Sequence, residues 1–228
     1  MIVRNLQSVR DRITTACFAA GRQPNSVRLL AVSKTYGAGA VLDAMSDGQR
    51  AFGENYIAEG VEKITALREH AELQWHCIGP IQSNKTRLVA EHFDWVQSVD
   101  RLKIAQRLSE QRPAHLPPLQ ICLQVNIDGG VNKSGVAPDA LMALVKQVIQ
   151  LPSLRLRGLM TIPEPATNFI AACALHSCAK DLFDQVNKAG LLPEPMDTLS
   201  MGMTADLEAA IASGSTMVRV GTAIFGGR

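Results

Sequence analysis

The chain carries little net charge. Its 23 Lys and Arg against 21 Asp and Glu leave +2, so no strong field recommends nucleic acid or an anionic membrane as a partner. Runs of like charge, which would mark a tail or a basic arm, are missing too. No apolar stretch approaches the length of a membrane span. Arg4, Arg10, Asp11 and Arg12 are not followed by the uninterrupted apolar segment of a signal peptide. A cytoplasmic location is therefore expected. The cysteines Cys17, Cys77, Cys122, Cys173 and Cys178 form an odd set without framework spacing, which reads as free thiols in a reducing compartment. Cys173 and Cys178 flank His176, but their segment reads as helix and no second ligand pair accompanies them, so no metal site is expected. Common nucleotide and hydrolase signatures are also lacking. No Gly-x-Gly-x-x-Gly follows the first strand-like run, and no Gly-x-Ser-x-Gly elbow occurs. In Gly129–Gly135, Asn132 stands where a Walker loop needs glycine directly before Lys133. Lys133 itself stays open between meeting an anion and standing as a solvated loop lysine.

What is present is a regular alternation. The chain of 228 residues is long enough to bury a sizeable core. Ile2, Leu6, Val9 and Ile13 recur at helical spacing, which predicts an amphipathic helix over 2–20 that Gly21 ends and Pro24 keeps from continuing. Short apolar runs and helical stretches then take turns. The runs predicted as strands are Leu29–Ser33, Ala51–Gly53, Gln74–Ile78, Trp95–Ser98, Leu119–Asn126, Leu156–Met160, Asp197–Ser200 and Met217–Val220. Eight β-then-α units in this length predict an α/β fold, a single (β/α)8 TIM-type barrel with an extra N-terminal helix, spanning 1–228 as one domain. An open doubly wound sheet is the alternative. Pro113–Pro118 reads as a surface loop rather than a linker, because a strand follows at once.

In such a barrel the chemistry sits where strands end and βα loops begin. Read in order, the polar residues at those ends are Lys34, Glu54 and Asn55, His76, Asp100, Asn126, Thr161, Ser200, Arg219 and Thr222. Most of them are expected to face one central mouth. Lys34 follows the apolar run Leu30-Ala31-Val32-Ser33. A lysine there is expected to be partly desolvated, which favours the neutral amine that attacks an aldehyde. Ser200-Met201-Gly202-Met203-Thr204 and the end of the last strand, Arg219 to Thr222, supply glycines, hydroxyls and backbone amides where this fold usually binds phosphate. Tight turns alone would account for Gly202 and Gly221 equally well. Arg219 is expected to point inward, toward either a phosphate or a ring nitrogen. Trp75 and Trp95 read as packing, because no basic stripe accompanies them. His76 alternates with apolar neighbours and reads equally as a satisfied core histidine.

Several segments together resemble one family. Leu30-Ala-Val-Ser-Lys-Thr35, Phe52-Gly-Glu-Asn55, Trp75-His-Cys-Ile-Gly79 with Gln82-Ser-Asn-Lys85, Arg157-Gly-Leu-Met160, Ser200-Met-Gly-Met203 and Val218 to Gly226 are similar, in order, to the pyridoxal phosphate homeostasis proteins. The resemblance implies a barrel like that of alanine racemase without its second, β-rich domain. The chain stops at Arg228, just after the last barrel segment, in agreement. It implies pyridoxal 5'-phosphate as cofactor, held as a Schiff base on Lys34, with Ser200, Arg219, Gly221 and Thr222 around the phosphate or ring. Asn55, His76, Met160 and Met201 complete the expected cofactor-binding set. Where the family often has lysine and then proline after Lys34-Thr35, this chain has Tyr36 and Gly37.

Three functions are weighed on these residues. The first is a cofactor-binding regulator of the vitamin B6 pool without catalytic residues of its own, handing pyridoxal phosphate to apo-enzymes and acting as a monomer, with a dimer as alternative. The second is a pyridoxal-phosphate racemase or lyase, which needs an acid/base pair on opposite faces of the cofactor. The third is a sugar-phosphate aldolase with Lys34 as its imine lysine and Glu54 as acid/base. The regulator is favoured, because no residue stands out as the opposing acid/base.

Overall fold

The computed structural model describes residues 1–130 and 133–227. Asn132, the residue that breaks the Walker spacing, lies outside the described residues with Val131 and Arg228. After α1 (Ile2–Ala19) the strands and helices alternate: β1 (Arg28–Val32), α2 (Ala38–Ser46), β2 (Ala51–Glu54), α3 (Ile57–Ala66), β3 (Gln74–Cys77), α4 (Thr86–His92), β4 (Trp95–Val99), α5 (Leu102–Gln111), β5 (Leu119–Gln124), α6 (Leu141–Val148), β6 (Leu154–Met160), α7 (Phe169–Lys188), β7 (Thr198–Ser200), α8 (Leu207–Ala212), β8 (Met217–Val220) and α9 (Thr222–Phe225). The strands pair in parallel and in chain order, and β8 closes on β1. This is the (β/α)8 barrel with an N-terminal helix that the alternation predicts. Each strand falls within a residue or two of its expected place. The single turn α9 is an addition.

The pattern of side chains explains the closure. On α1, Leu6, Val9, Ile13 and Cys17 are buried at helical spacing and pack against α2, α8 and α9. Each large apolar side chain removed from water there contributes about 1.5–3 kcal/mol. Gly21, at φ +65, ends the helix as its sequence suggests. Along β1, Leu30 and Val32 turn into the barrel with Ile78 and Met217, while Ala31 joins the outer layer between strands and helices. That period of two is the pleat of a strand. Gly158 of β6 lies where strands press together: a Cβ there would fall 1.5 Å from the Thr198 carbonyl oxygen. Glycine is required at that place in Arg157-Gly-Leu-Met because backbone, not a movable side chain, occupies the space.

The lower barrel is filled by a stack. His76 lies face to face with Trp95 at 5.0 Å between centroids, and Arg157 and Arg28 cover the same indole at 5.0 and 5.6 Å. Trp75 packs against Phe52. Both tryptophans are thus core residues, as the lack of a basic stripe indicates.

Candidate functional site

A parallel barrel brings all its strand C-termini to one mouth, and a cavity of about 650 Å³ opens there. Lys34 and Tyr36 line it after β1, Asn55 and Tyr56 after β2, Met203 to Ala205 after β7, and Arg219, Gly221 and Thr222 at the end of β8. Five residues of the expected set therefore meet at one cavity: Lys34, Asn55, Arg219, Gly221 and Thr222. The alternation that turns Leu30 and Val32 inward carries Lys34 inward as well. One expectation is corrected. Lys34 is exposed, not desolvated, because it stands two residues beyond the end of β1, above the packed layer.

The other four residues lie elsewhere. His76, Ser200 and Met160 are buried below the cavity; Met160 packs with Trp95 and Cys122. Met201 is fully buried in the layer between barrel and helices. The polar strand ends also divide. Glu54 turns outward to Lys63 of α3, Asp100 pairs with Arg101, and Asn126 donates to the Gly130 carbonyl. Lys133, left open by the sequence, is held 2.6 Å from Asp128 and 3.0 Å from Glu164.

A row of hydrogen bonds crosses the barrel beneath the cavity. Arg219 donates to Ser200 Oγ at 2.8 Å and to the Thr161 carbonyl at 2.8 Å. Ser200 Oγ donates to Gln97 Oε1 at 2.6 Å, and the Gln97 amide nitrogen lies 3.0 Å from His76 Nδ1. Arg219 is 4 % exposed. Burial pulls its guanidinium down to about 10, against the opposing charge of Asp206, so it stays protonated at neutral pH. A guanidinium has five N–H donors; the two bonds above leave others for the cavity side.

The walls are fixed from outside. The Asp206 carboxylate accepts the Met203 amide at 2.6 Å and lies 2.9 Å from His176 Nε2. Burial would raise that carboxyl, but the hydrogen bonds from His176 and the Met203 amide hold it below the usual range. His176 thus anchors the β7–α8 loop from α7. Arg12 of α1 holds the same loop through the Thr204 carbonyl at 3.0 Å. On the opposite side the Tyr36 hydroxyl donates to the Gly226 carbonyl at 2.9 Å, and its ring stacks on Phe225. Gly79 lets the β2–α3 turn pass: a Cβ there would fall 2.1 Å from the Asn55 carbonyl oxygen. Tyr56 and Ile162 escape a sequence reading, because only the folded loops bring them to the mouth.

His76 gives the barrel a measurable acid sensitivity. Burial, reinforced by the Arg28 charge, pushes its imidazole down to about 3, whereas an unfolded histidine titrates near 6.5. Between those values the unfolded chain binds a proton that the folded chain refuses. The stabilisation is complete above pH ~6.5 and is lost as pH falls toward 3. Between pH 6.5 and 4.5 this costs about 2 kcal/mol. Urea unfolding of His76→Gln against the parent over that range is expected to show a shallower acid decline in the variant. Parallel declines would mean that the unprotonated His76 contributes nothing.

Residues 5–228 match the family pattern described as alanine racemase, N-terminal domain. A protein of Pseudomonas aeruginosa named pyridoxal phosphate homeostasis protein is 57% identical over 227 residues, covering 100% of this chain and 96% of its own length. The protein of the same name from Escherichia coli K12 is 52% identical, over 100% of this chain and 97% of its own. The structure of PipY from Synechococcus elongatus with PLP bound superposes with a TM-score of 0.86 at 37% identity, covering 99% of this chain and 100% of PipY. An alanine racemase of Clostridium difficile shares the fold at a TM-score of 0.74 and 15% identity, with 57% of its length matched. Identities above half across the full chain show that the chain belongs to the pyridoxal phosphate homeostasis protein family.

Proposed function

We propose that this chain binds pyridoxal 5'-phosphate in the barrel-mouth cavity, holds it as a Schiff base on Lys34, and serves vitamin B6 homeostasis inside the cell as a carrier rather than by turning over a substrate. The observation that carries this reading is the meeting of an exposed lysine, a buried arginine and the Gly221–Thr222 turn around a single cavity of about 650 Å³, a size that suits one small cofactor. The neutral Lys34 amine attacks the aldehyde carbon, the carbon–nitrogen double bond replaces the carbon–oxygen one, and the oxygen leaves as water with both amine hydrogens. Thr222, Gly221 and Thr204 lie at the rim, where a phosphate keeps contact with solvent. Arg219 lies deeper, aimed across the barrel by Ser200 and Thr161, and serves the ring side.

That placement supports a carrier. When bound, the cofactor supplies an electron sink for amino-acid chemistry. An arginine that stays protonated cannot leave a proton on the ring nitrogen, so the sink is weak. Racemisation further needs acid/base groups on both faces, and Tyr36, near the mouth, commits its hydroxyl hydrogen to Gly226. The protein loaded with pyridoxal phosphate is therefore expected to transfer it to an apo-enzyme and to yield no inverted amino acid. Incubation with L-alanine in deuterium oxide, followed by chiral analysis, checks both proton exchange and inversion. Many equivalents of D-alanine per chain would replace the carrier with a racemase.

A further inference from the structure

The backbone on either side of Lys34 is held from behind, by groups outside the cavity. Ser33 and Glu54 point outward from the ends of β1 and β2, toward α3. Between them lies Lys63 of α3, the one buried lysine among the described residues. Its ammonium donates at 2.7 Å to the Ser33 carbonyl and lies 2.7 Å from both Glu54 Oε1 and Glu59 Oε1. Glu54 Oε1 also accepts the Ser33 hydroxyl at 2.6 Å. Glu59 Oε1 accepts the Thr35 amide at 2.5 Å. The carbonyl before Lys34 and the amide after it are thus bonded to one ion triplet. Thr35 holds φ at +70, a left-handed conformation that a threonine keeps only where its surroundings impose it.

A lysine side chain is long and flexible, so the backbone governs only where it starts and which way it leaves. Those two properties are what the triplet controls. Burying an ammonium between carboxylates is costly and is not a general means of stabilising a fold. We propose that Lys63, clamped between Glu54 and Glu59, is a positioning residue for Lys34, fixing the peptide units on both sides so that the amine meets a carbonyl in the cavity. This inference rests on the reading of Lys34 as the attachment point.

The test separates reactivity from binding in the intact protein. Pyridoxal phosphate reports Schiff-base formation by its absorbance. Pyridoxamine 5'-phosphate carries an amine in place of the aldehyde, cannot form that bond, and so reports the cavity alone. Lys63→Met is expected to slow Schiff-base formation by about tenfold or more, as small misplacements of reacting groups do, and to leave pyridoxamine phosphate affinity nearly unchanged. Should the loss of charge prevent folding, Glu59→Ala removes the partly exposed carboxylate that meets both the Thr35 amide and the Lys63 ammonium, leaves Glu54 in place, and should show the same split more mildly. Glu59→Gln keeps an acceptor oxygen and should recover most of the rate. Equal losses for both ligands would make Lys63 a residue of the fold only. Mapping the borohydride-reduced adduct of the unsubstituted protein separates the two failures. Label on another lysine overturns the attachment reading and this inference with it. Label on Lys34 with unchanged rates in the variants overturns this inference alone.

Discussion

Borohydride reduction of the protein saturated with pyridoxal phosphate is expected to leave the pyridoxyl group on Lys34 and on no other lysine in comparable amount. Position and surroundings both favour this residue. Lys34 follows the inward-facing Leu30 and Val32 by the strand period and lines the cavity. Only the neutral amine is nucleophilic, and a carboxylate partner keeps a lysine charged. Lys133, the rival near the mouth, is held against Asp128 and Glu164. Lys85 sits exposed in the turn before α4, outside the cavity lining. Peptide mapping by mass spectrometry reads the outcome. A dominant label on Lys133 or Lys85 would remove Lys34 from the centre of the site.

Arg219→Ala is expected to weaken pyridoxal phosphate binding by more than tenfold, and Lys133→Ala much less. Arg219 is nearly fully buried beneath the cavity, where a charged hydrogen bond is poorly screened. Losing one such bond costs about 1.5–3 kcal/mol, and 1.4 kcal/mol is already tenfold. Lys133 is partly exposed and spends its charge on two carboxylates, so its removal is felt mainly within its own loop. Arg219→Lys keeps the charge but loses the planar fork, and should fall between parent and alanine variant. Fluorescence titration, with the folded state of each variant checked by circular dichroism, gives the comparison. Equal, small changes for both alanine variants would show that Arg219 does not face the cofactor.

The eight strands and their order were open to a sequence reading because each carries its own evidence. An apolar run such as Leu119–Gln124, bounded by prolines before and a glycine-rich loop after, needs no knowledge of its neighbours. Depth inside the barrel is different. Strand alternation shows that His76, Met160 and Ser200 face inward, but not how far below the mouth they lie. That depends on the stagger between neighbouring strands, which here includes register shifts at Val96/Val99 and at Ile121/Cys122. Lys63 was illegible for another reason. Glu59 and Lys63 at i, i+4 look like an ordinary surface pair on a helix, and nothing in the local pattern reveals that β1 and β2 end against them. The expected desolvation of Lys34 failed on the same ground: the end of a buried strand and the first residues beyond it read alike.

The row of hydrogen bonds under the cavity runs in one direction only, and the arginine dictates which. A guanidinium donates and never accepts, so Ser200 must receive from Arg219 and turn its own hydrogen toward Gln97. The Gln97 oxygen is then spoken for, and its amide hydrogens face His76. His76 Nδ1 must offer a lone pair, which places the ring proton on Nε2, the atom without a partner. One fixed charge at the cavity floor therefore selects the tautomer of a histidine three residues along the row. With Met in place of Arg219 that selection lapses: the Ser200 hydroxyl can rotate, the Gln97 amide can flip, and both imidazole tautomers become available. Nitrogen-15 shifts of the His76 ring would show a single tautomer in the parent and a mixture in the variant.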